Sequence, residues 1–325
     1  MSRRVLVAGH WTGGEPAAPT ALAALGAVAE GFVEQAPHWQ ARIRPFGAGA
    51  AFAEALEGAR EDSYRPILVP FDAASTLDAG RAAREALDAG LVPVVEGGHC
   101  DEVDCGLGFL QGLTGLDLSE RAELEAALPE ALRIGRDLLA GRDLVAAAST
   151  RRPLLGLASV LAVGVDLEAR TTQDRALTSL LARALAEGRR PSLPLAGSGA
   201  APAPGREPGS GAAGGAAAVI AAIGGRIFET GPFLRAATGL DAELEDCDLV
   251  IVLEPRLHSP SLSDRALDAI TGAAAERALP VVALGVESSL SAPERAEWGL
   301  HGQFETLGSV GLKAAGARIA RTWAA

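Results

Sequence analysis

Short apolar runs alternate along the chain with longer stretches in which apolar residues recur at helical spacing. Six of these runs predict buried β-strands, at residues 3–9, 65–71, 91–98, 143–149, 248–254 and 279–285. Strands that are apolar on both faces and separated by helices are typical of a parallel sheet covered by helices. The pattern therefore predicts an α/β fold.

Four stretches predict helices, at residues 21–32, 77–90, 119–140 and 171–187. Gly90 is the expected stop of the second helix. Ser119 is the expected N-cap of the third, because its hydroxyl can accept a hydrogen bond from an amide of the first turn. In the fourth, Leu177, Leu181 and Leu185 recur every four residues and predict one buried stripe.

Composition and charge narrow the classes of function. The 325 residues carry a formal net charge of −12, which argues against a nucleic-acid partner because phosphates are neutralised by clustered Lys and Arg. Three cysteines cannot form a closed set of disulfides, and the N-terminal apolar run is too short for a signal peptide. No run approaches the ~18 apolar residues of a membrane span. We expect a reduced, soluble, cytoplasmic protein that does not contact membranes.

The stretch EGGHCDEVDCGLG (96–108) concentrates residues that can carry chemistry. A closed zinc site would need a second pair of soft ligands, and the neighbouring carboxylates would raise the pKa of a thiol rather than activate it. We favour small, partly buried cysteines in a loop between a strand and a helix, and the metal interpretation stays open. Its candidate ligands are His99, Cys100, Asp101, Asp104 and Cys105.

A second glycine-rich stretch, PGSGAAGGAAAVIAAIGG (208–225), runs directly into an apolar helical pattern. Glycines let the backbone approach a ligand closely, and a helix N-terminus offers N–H groups to an anion. Glycines also allow tight packing, so the spacing alone leaves both interpretations open. Trp11 follows the first strand, where α/β sheets place ligand crevices, and is expected to cap a pocket or to pack in the core.

The order of these segments resembles the bacterial two-domain glycerate 2-kinases. That family carries a GAGAAGG loop, a helix and then a strand that ends in GEGRLD. Here GSGAAGG (209–215) and DCDLVIVLEPRL (246–257) stand in the same order. Glu254, Arg256 and Leu257 match the Glu, Arg and Leu of the family motif.

Two further segments are similar to the family. The family loop GGSATNDGGAG, followed by MLQALG, is similar to GGHCDEVDCGLG (97–108) followed by FLQGLTG, with about one inserted residue. RRPLLGLAS (151–159) is similar to the family's NPLLG segment. The resemblance covers most of the chain in order. In the first of these loops the matching positions are Gly97, Gly98, Asp104, Gly106 and Gly108.

The chain departs from the family at several charged positions. His10 and Gly13 stand where the family's DSFKGS has its active-site aspartate and lysine. About forty family residues before the strand RPILVPF are missing. The other replacements are GAGAAF (47–52) for the acidic DGGEGT, His258 for the aspartate of GEGRLD, and Asp264-Arg265 for a GK pair.

The resemblance implies that ATP, with Mg²⁺, phosphorylates the 2-hydroxyl of D-glycerate or a related small hydroxy acid. The retained catalytic positions are Asp104, Glu254 and Arg256. Phosphoryl transfer depends on positioned charge, so the losses predict weak or altered activity. The alternative is an inactive pseudoenzyme that binds a ligand or regulates. The expected phosphate or ligand contacts are Gly97, Gly98, Gly106, Gly209, Gly211, Gly214, Gly215, His10 and Arg265.

Two domains follow from the resemblance and from a change in composition. Residues 188–210 are dominated by Pro, Gly, Ala and Ser without a period, which predicts a mobile linker. We expect a discontinuous flavodoxin-like domain at 1–62 and 207–325. The inserted α/β domain, 63–206, is expected to end in the flexible segment 188–207. One cleft is expected to gather the loop after the first strand and the loops at 97–108, 209–215 and 254–265.

Overall fold

The computed structural model describes residues 3–59, 63–100, 103–162, 172–187, 202, 205–258, 267–306 and 311–324, without the side chains of 172–175. The strands are β1 Arg3–Gly9, β2 Trp39–Pro45, β3 Tyr64–Leu68, β4 Val92–Gly97, β5 Val145–Ala148, β6 Arg226–Glu229, β7 Leu249–Leu253, β8 Arg256–Leu257, β9 Val281–Gly285, β10 Glu287–Ser288 and β11 Gly302–Glu305. The helices are α1 Ala21–Gln35, α2 Ala50–Glu57, α3 Leu77–Asp88, α4 Leu107–Thr114, α5 Leu124–Leu139, α6 Thr172–Glu187, α7 Ala216–Ala222, α8 Thr230–Thr238, α9 Leu240–Leu244, α10 Leu267–Ala275, α11 Ala292–Glu297 and α12 Leu312–Trp323.

The chain divides into two compact units. Unit 1 comprises Met1–Asp62 and Thr230–Ala325, and unit 2 comprises Ser63–Glu229.

Within the described residues, no helix has both the length and the apolarity that crossing a membrane requires.

Unit 1 is built on a five-stranded sheet in the order β11-β9-β7-β1-β2, in which every neighbouring pair is parallel. Counted within the unit from β2, this is the order 2-1-3-4-5 of flavodoxin-like sheets. Val5 and Val7 pack with Leu249 and Ile251 against α1 and α12. Alternate residues such as Leu6 point to the opposite face because side chains alternate along a strand. The predicted α/β fold with a parallel sheet is confirmed.

Unit 2 contains a four-stranded parallel sheet in the order β3-β4-β5-β6. Helices α3 to α7 bury one continuous apolar cluster against it. Leu181 and Leu185 of α6 are each 1 % exposed and belong to this cluster, and Leu177 packs against it, as the predicted stripe requires.

The glycine-rich segment lies in unit 2 rather than in the flavodoxin-like domain expected from residue 207. Strand β6 pairs with β5, and the Leu155 amide donates to the Gly205 carbonyl at 2.7 Å. These bonds attach residues 205–229 to unit 2, so the unit boundary lies at Thr230 and not at 207. Residues 188–201, 203 and 204 of the predicted linker lie outside the described residues.

Helix α5 begins five residues later than the predicted start at Ser119. Its first residue is Leu124 and its N-cap is Glu123. The Ser119 amide donates to the Asp117 carboxylate at 2.9 Å, and the Leu118 amide donates to the Gln111 side chain at 3.3 Å. These side-chain acceptors compete with helical hydrogen bonding, which is why the segment before Leu124 stays outside the helix.

Candidate functional site

The candidate site of unit 1 lies where the strand order of its sheet reverses. Strands β1 and β7 are neighbours, but the chain continues from β1 to β2 on one side and from β7 to β9 on the other. In open parallel sheets, ligands bind outside the carboxyl ends of the strands at such a reversal. His10 directly follows β1 and Glu254 directly follows β7.

His10 and Glu254 form a hydrogen-bonded pair at this position. The ring Nε2 lies 3.1 Å from Glu254 Oε2, and Glu254 is only 2 % exposed. The Thr12 amide donates to Nδ1 at 3.3 Å, so Nδ1 is the acceptor and Nε2 carries the proton that Glu254 accepts. A buried carboxylate needs such a donor, because burying it without one costs several kcal/mol, about 2–7 for a polar group.

Glycines allow the two strand ends to approach each other. Gly9 has a φ of +117°, and a Cβ there would lie 2.2 Å from the Leu253 carbonyl oxygen. A Cβ on Gly47 would lie 2.8 Å from the His10 ring. Because Gly47 has no side chain, it leaves room for the His10 ring.

The segment after Glu254 is held by a short parallel pairing. Arg256 pairs with Glu287 and Leu257 pairs with Ser288, as β8 and β10. His258 Nδ1 lies 2.7 Å from the Ser289 hydroxyl. The exposed Arg256 lies two residues beyond Glu254 along this segment. Arg265, with Asp264, lies outside the described residues.

A cavity of about 350 Å³ adjoins the segment between β1 and α1. Trp11 lines this cavity and is also packed in the core, since it is only 3 % exposed. Its indole N–H donates a hydrogen bond to the Pro16 carbonyl at 2.9 Å. Glu54 of α2 also lines the cavity and accepts hydrogen bonds from the amides of Ala21 and Leu22 at 3.1 and 2.9 Å. No sequence pattern pointed to Glu54, because its partners lie more than thirty residues away in the chain.

In unit 2, Asp104 connects the starts of α3 and α4. Its carboxylate accepts hydrogen bonds from the Ser75 hydroxyl, the Thr76 amide and hydroxyl, and the Gly106 amide, at distances of 2.7–3.1 Å. Thr76 also accepts from the Phe109 amide at 2.7 Å. The observed contacts are those of a carboxylate that orders two loops, and the catalytic role expected for Asp104 stays a prediction.

Asp104→Ala is expected to destabilise the protein by about 1–3 kcal/mol, because it leaves the buried Thr76 donors without their acceptor. The measurement is the midpoint of urea unfolding. Asp72→Asn is the matched control, since Asp72 is exposed and four residues before Thr76. Equal midpoints for both variants would contradict the ordering role.

The two glycine-rich loops of unit 2 pack against each other. The Ala213 amide donates to the Gly98 carbonyl at 2.8 Å, and the Gly106 amide donates to the Gly214 carbonyl at 3.0 Å. Gly215 has a φ of +95°, and a Cβ there would lie 2.8 Å from the Cys105 carbonyl carbon. The predicted phosphate contacts at 97–108 and 209–215 are therefore brought together by the fold.

The amides of the 209–215 loop are already hydrogen-bonded within the protein. Gly209 and Gly211 donate to the carbonyls of Arg151 and Arg152, at 3.1 and 3.0 Å. The amides of 210, 212, 213 and 215 also donate to carbonyls, and the Gly214 amide bonds to the Cys100 sulfur. Phosphate binding through these N–H groups would require the loop to rearrange.

The cysteines of the 97–108 loop are buried, more completely than the expected partial burial. Cys100 and Cys105 are 7 % and 2 % exposed. Burial raises the pKa of the Cys100 thiol and Asp104 raises it further, while the Gly214 amide lowers it. Within the described residues, no three His, Cys, Asp or Glu side chains come together to hold a metal ion, and the candidate ligand Asp101 lies outside those residues. His99 contacts the Phe71 ring edge-on at 5.6 Å.

Cys247 is expected to react slowly with Ellman's reagent in the folded protein. Burial raises its pKa to about 11, so at pH 8 the thiolate is about 100-fold rarer than for an ordinary thiol. The raised pKa favours the folded state below the thiol's ordinary pKa, and this contribution is lost as pH rises through about 11. Labelling of Cys247, followed by mass spectrometry with and without urea, is the measurement. Equal rates in both conditions would contradict the burial argument.

Glu96, the first residue of the stretch 96–108, is a buried carboxylate that was not among the predicted site residues. It is 3 % exposed near the end of β4, and the Ser149 hydroxyl donates to its Oε1 at 2.9 Å. A signal was present in the sequence, since Glu96 is a single charged residue at the end of the apolar run LVPVV.

Comparisons with known proteins find relatives both by sequence and by structure. Two proteins designated uncharacterised, from Mycobacterium bovis and Mycobacterium tuberculosis, are each 30 % identical over 219 residues, which is 67 % of this chain and 51 % of theirs. The chain thus spans about half the length of these curated relatives. The crystal structure of a candidate glycerate kinase 2 from Salmonella typhimurium LT2 has a TM-score of 0.69 and 21 % identity over 98 % of both chains, a likeness that shows the fold.

A family profile also matches the chain. The glycerate kinase family matches residues 51–320, which include the loops at 97–108 and 209–215 and the segment of Glu254 and Arg256. The profile covers most of the chain, and therefore this protein belongs to the glycerate kinase family.

Proposed function

We propose that the protein is an ATP-dependent phosphotransferase that phosphorylates the 2-hydroxyl of D-glycerate or a related small hydroxy acid, at a reduced rate. The observation that carries the proposal is the buried Glu254, held by His10 at the strand reversal of the unit 1 sheet. The exposed guanidinium of Arg256 follows it and can pair with a carboxylate or phosphate through two parallel hydrogen bonds.

Mg²⁺ is the ion that the family implies, and the described residues offer no preformed cage for it. No three candidate ligand side chains come together in that part of the chain. The carboxylate of Asp104 is already bonded to its loop donors. Magnesium bound to phosphates keeps several waters and takes only one or two carboxylates from a protein. No step of the proposed reaction is assigned to the ion.

An assay of ADP release tests the proposal. Purified protein is incubated with ATP, Mg²⁺ and a panel of hydroxy acids that includes D-glycerate, L-glycerate, glycolate and lactate. Release of ADP that depends on one of these acids is expected, with a phosphorylated product visible by mass spectrometry. Release no faster than without an acceptor, for every acid, would refute the phosphotransferase.

A second candidate function is ligand binding without catalysis. It is favoured by the internally bonded amides of the 209–215 loop and by Gly13 at the family's lysine position. A ligand that binds the folded state raises the midpoint of thermal unfolding. A shift with ATP, ADP, glycerate or phosphoglycerate, combined with no turnover, would favour this function.

We also propose a cytoplasmic location, in which the free cysteines would stay reduced.

A further inference from the structure

We propose that His10 is the general base of this reaction, and that its Nδ1 accepts the proton of the substrate hydroxyl. The inference rests on the proposed function, since it needs an alcohol acceptor. It concerns a residue that, by the sequence resemblance, stands where the family motif has an aspartate.

The pair with Glu254 fixes which nitrogen of the ring can accept a proton. Nε2 faces Glu254 at 3.1 Å, and Nδ1 accepts from the Thr12 amide at the long distance of 3.3 Å. A substrate hydroxyl that displaced the Thr12 amide could donate its hydrogen bond to the lone pair of Nδ1. A carboxylate behind the ring holds the tautomer and stabilises the imidazolium that forms when the ring takes the proton.

The surroundings of the ring suit this role. Thr12, whose amide donates to Nδ1, lines the cavity of about 350 Å³, so the accepting nitrogen is one hydrogen bond away from a residue of the cavity wall. The side chain of His10 is 14 % exposed and that of Glu254 is 3 % exposed. From β7 the ring is faced by Glu254. From the loop after β2 it is faced by Gly47, and residues 46–49 contain no titratable side chain.

The proposed step conserves atoms and charge. The hydroxyl proton moves to Nδ1, and the hydroxyl oxygen forms a bond to the γ-phosphorus of the nucleoside triphosphate. The bond from that phosphorus to the bridging oxygen breaks, so the nucleoside diphosphate leaves with that electron pair. The imidazolium, paired with Glu254, then releases its proton to water.

Kinetics of His10→Gln and His10→Ala test the role. A general base contributes about 10²–10⁴-fold, so kcat should fall at least 100-fold in both variants. The acid side of the pH–rate profile, where protonation of Nδ1 removes the acceptor, should disappear. Added imidazole should restore part of the activity of His10→Ala. His38→Gln, at an exposed histidine, is the control and should keep the wild-type profile. Wild-type kcat in His10→Gln, or a loss without any change in the acid limb, would overturn the proposal.

Nitrogen-15 NMR of labelled histidine gives a readout that does not depend on turnover. The sequence has 5 histidines, and the signals lost in His10→Gln assign His10. We expect a protonated Nε2 and an unprotonated Nδ1 whose resonance moves when D-glycerate is added. The opposite tautomer, or an Nδ1 that does not respond to D-glycerate, would overturn the base role. If the resonance responds but no acid is phosphorylated, the phosphotransferase fails while the contact between His10 and the hydroxyl stands.

Discussion

Replacing Glu254 by glutamine is expected to lower kcat for the proposed phosphotransfer by about 10²–10³-fold, the usual cost of losing one positioned charge at such a site. Glutamine keeps the size of the side chain and can still accept from His10 Nε2, whose bond to Glu254 measures 3.1 Å. It removes the negative charge that stabilises a protonated ring. The measurement is the rate of acceptor-dependent ADP release.

Glu57→Gln provides the matched control for this loss. Glu57 is exposed at the end of α2, so the same change of charge there is expected to leave kcat within about twofold. Thermal unfolding of both variants checks that each is folded. If Glu254→Gln were folded and as active as the control, Glu254 would have no part in the reaction.

Replacing Gly31 by alanine is expected to destabilise unit 1 by about 1–3 kcal/mol, the usual cost of overpacking. Gly31 lies where α1 crosses α12, and a Cβ there would lie 1.8 Å from the backbone carbonyl oxygen of Lys313. Backbone cannot rotate away as a long side chain can, so the two helices would have to separate. Gly316 of α12 makes the reciprocal contact, with a Cβ position 2.0 Å from the Val28 carbonyl oxygen.

Gly26→Ala in the same helix is the control for helix propensity. In the part of the chain that the structure describes, a Cβ on Gly26 would have no atom within 4 Å apart from its chain neighbours and the backbone of its own helix. Alanine there should therefore stabilise the protein by about 0.5–1 kcal/mol, because glycine is the poorer helix former. The midpoint of urea unfolding should move down for Gly31→Ala and up for Gly26→Ala. Two shifts in the same direction would show that the helices are not in close contact at Gly31.

Six of the strands were predictable because each lies largely in a short apolar run, and five of them, β1, β4, β5, β7 and β9, are buried along most of their length. The predicted run at 3–9 coincides with β1, and the run at 279–285 contains β9, Val281–Gly285. The weaker strands β2 and β6 escaped prediction because exposed polar and apolar side chains interrupt their patterns, as in WQARIRP and RIFE. A strand shows a recognisable apolar run in the sequence only where helices cover it and bury its side chains.

The candidate site was predictable residue by residue but not as an arrangement. Motifs pointed to Glu254 and His10 separately, and nothing in the sequence paired them. Asp104 was recognised as a family position, yet its engagement by Ser75 and Thr76 became visible only with the fold. The glycine spacing at 209–215 left packing and phosphate binding open, and the observed amide bonds are packing bonds.

The sequence by itself determined the α/β class, the family and the identity of the residues that can carry charge, because these follow from local patterns of burial and from motif order. The tertiary structure decided which of them meet. His10 and Glu254 are 244 residues apart and become neighbours only because β1 and β7 pair in parallel. The 209–215 loop joined unit 2 because β6 adds to the edge of β5. Pairing between distant strands depends on the whole sheet, which is why no local segment encodes it.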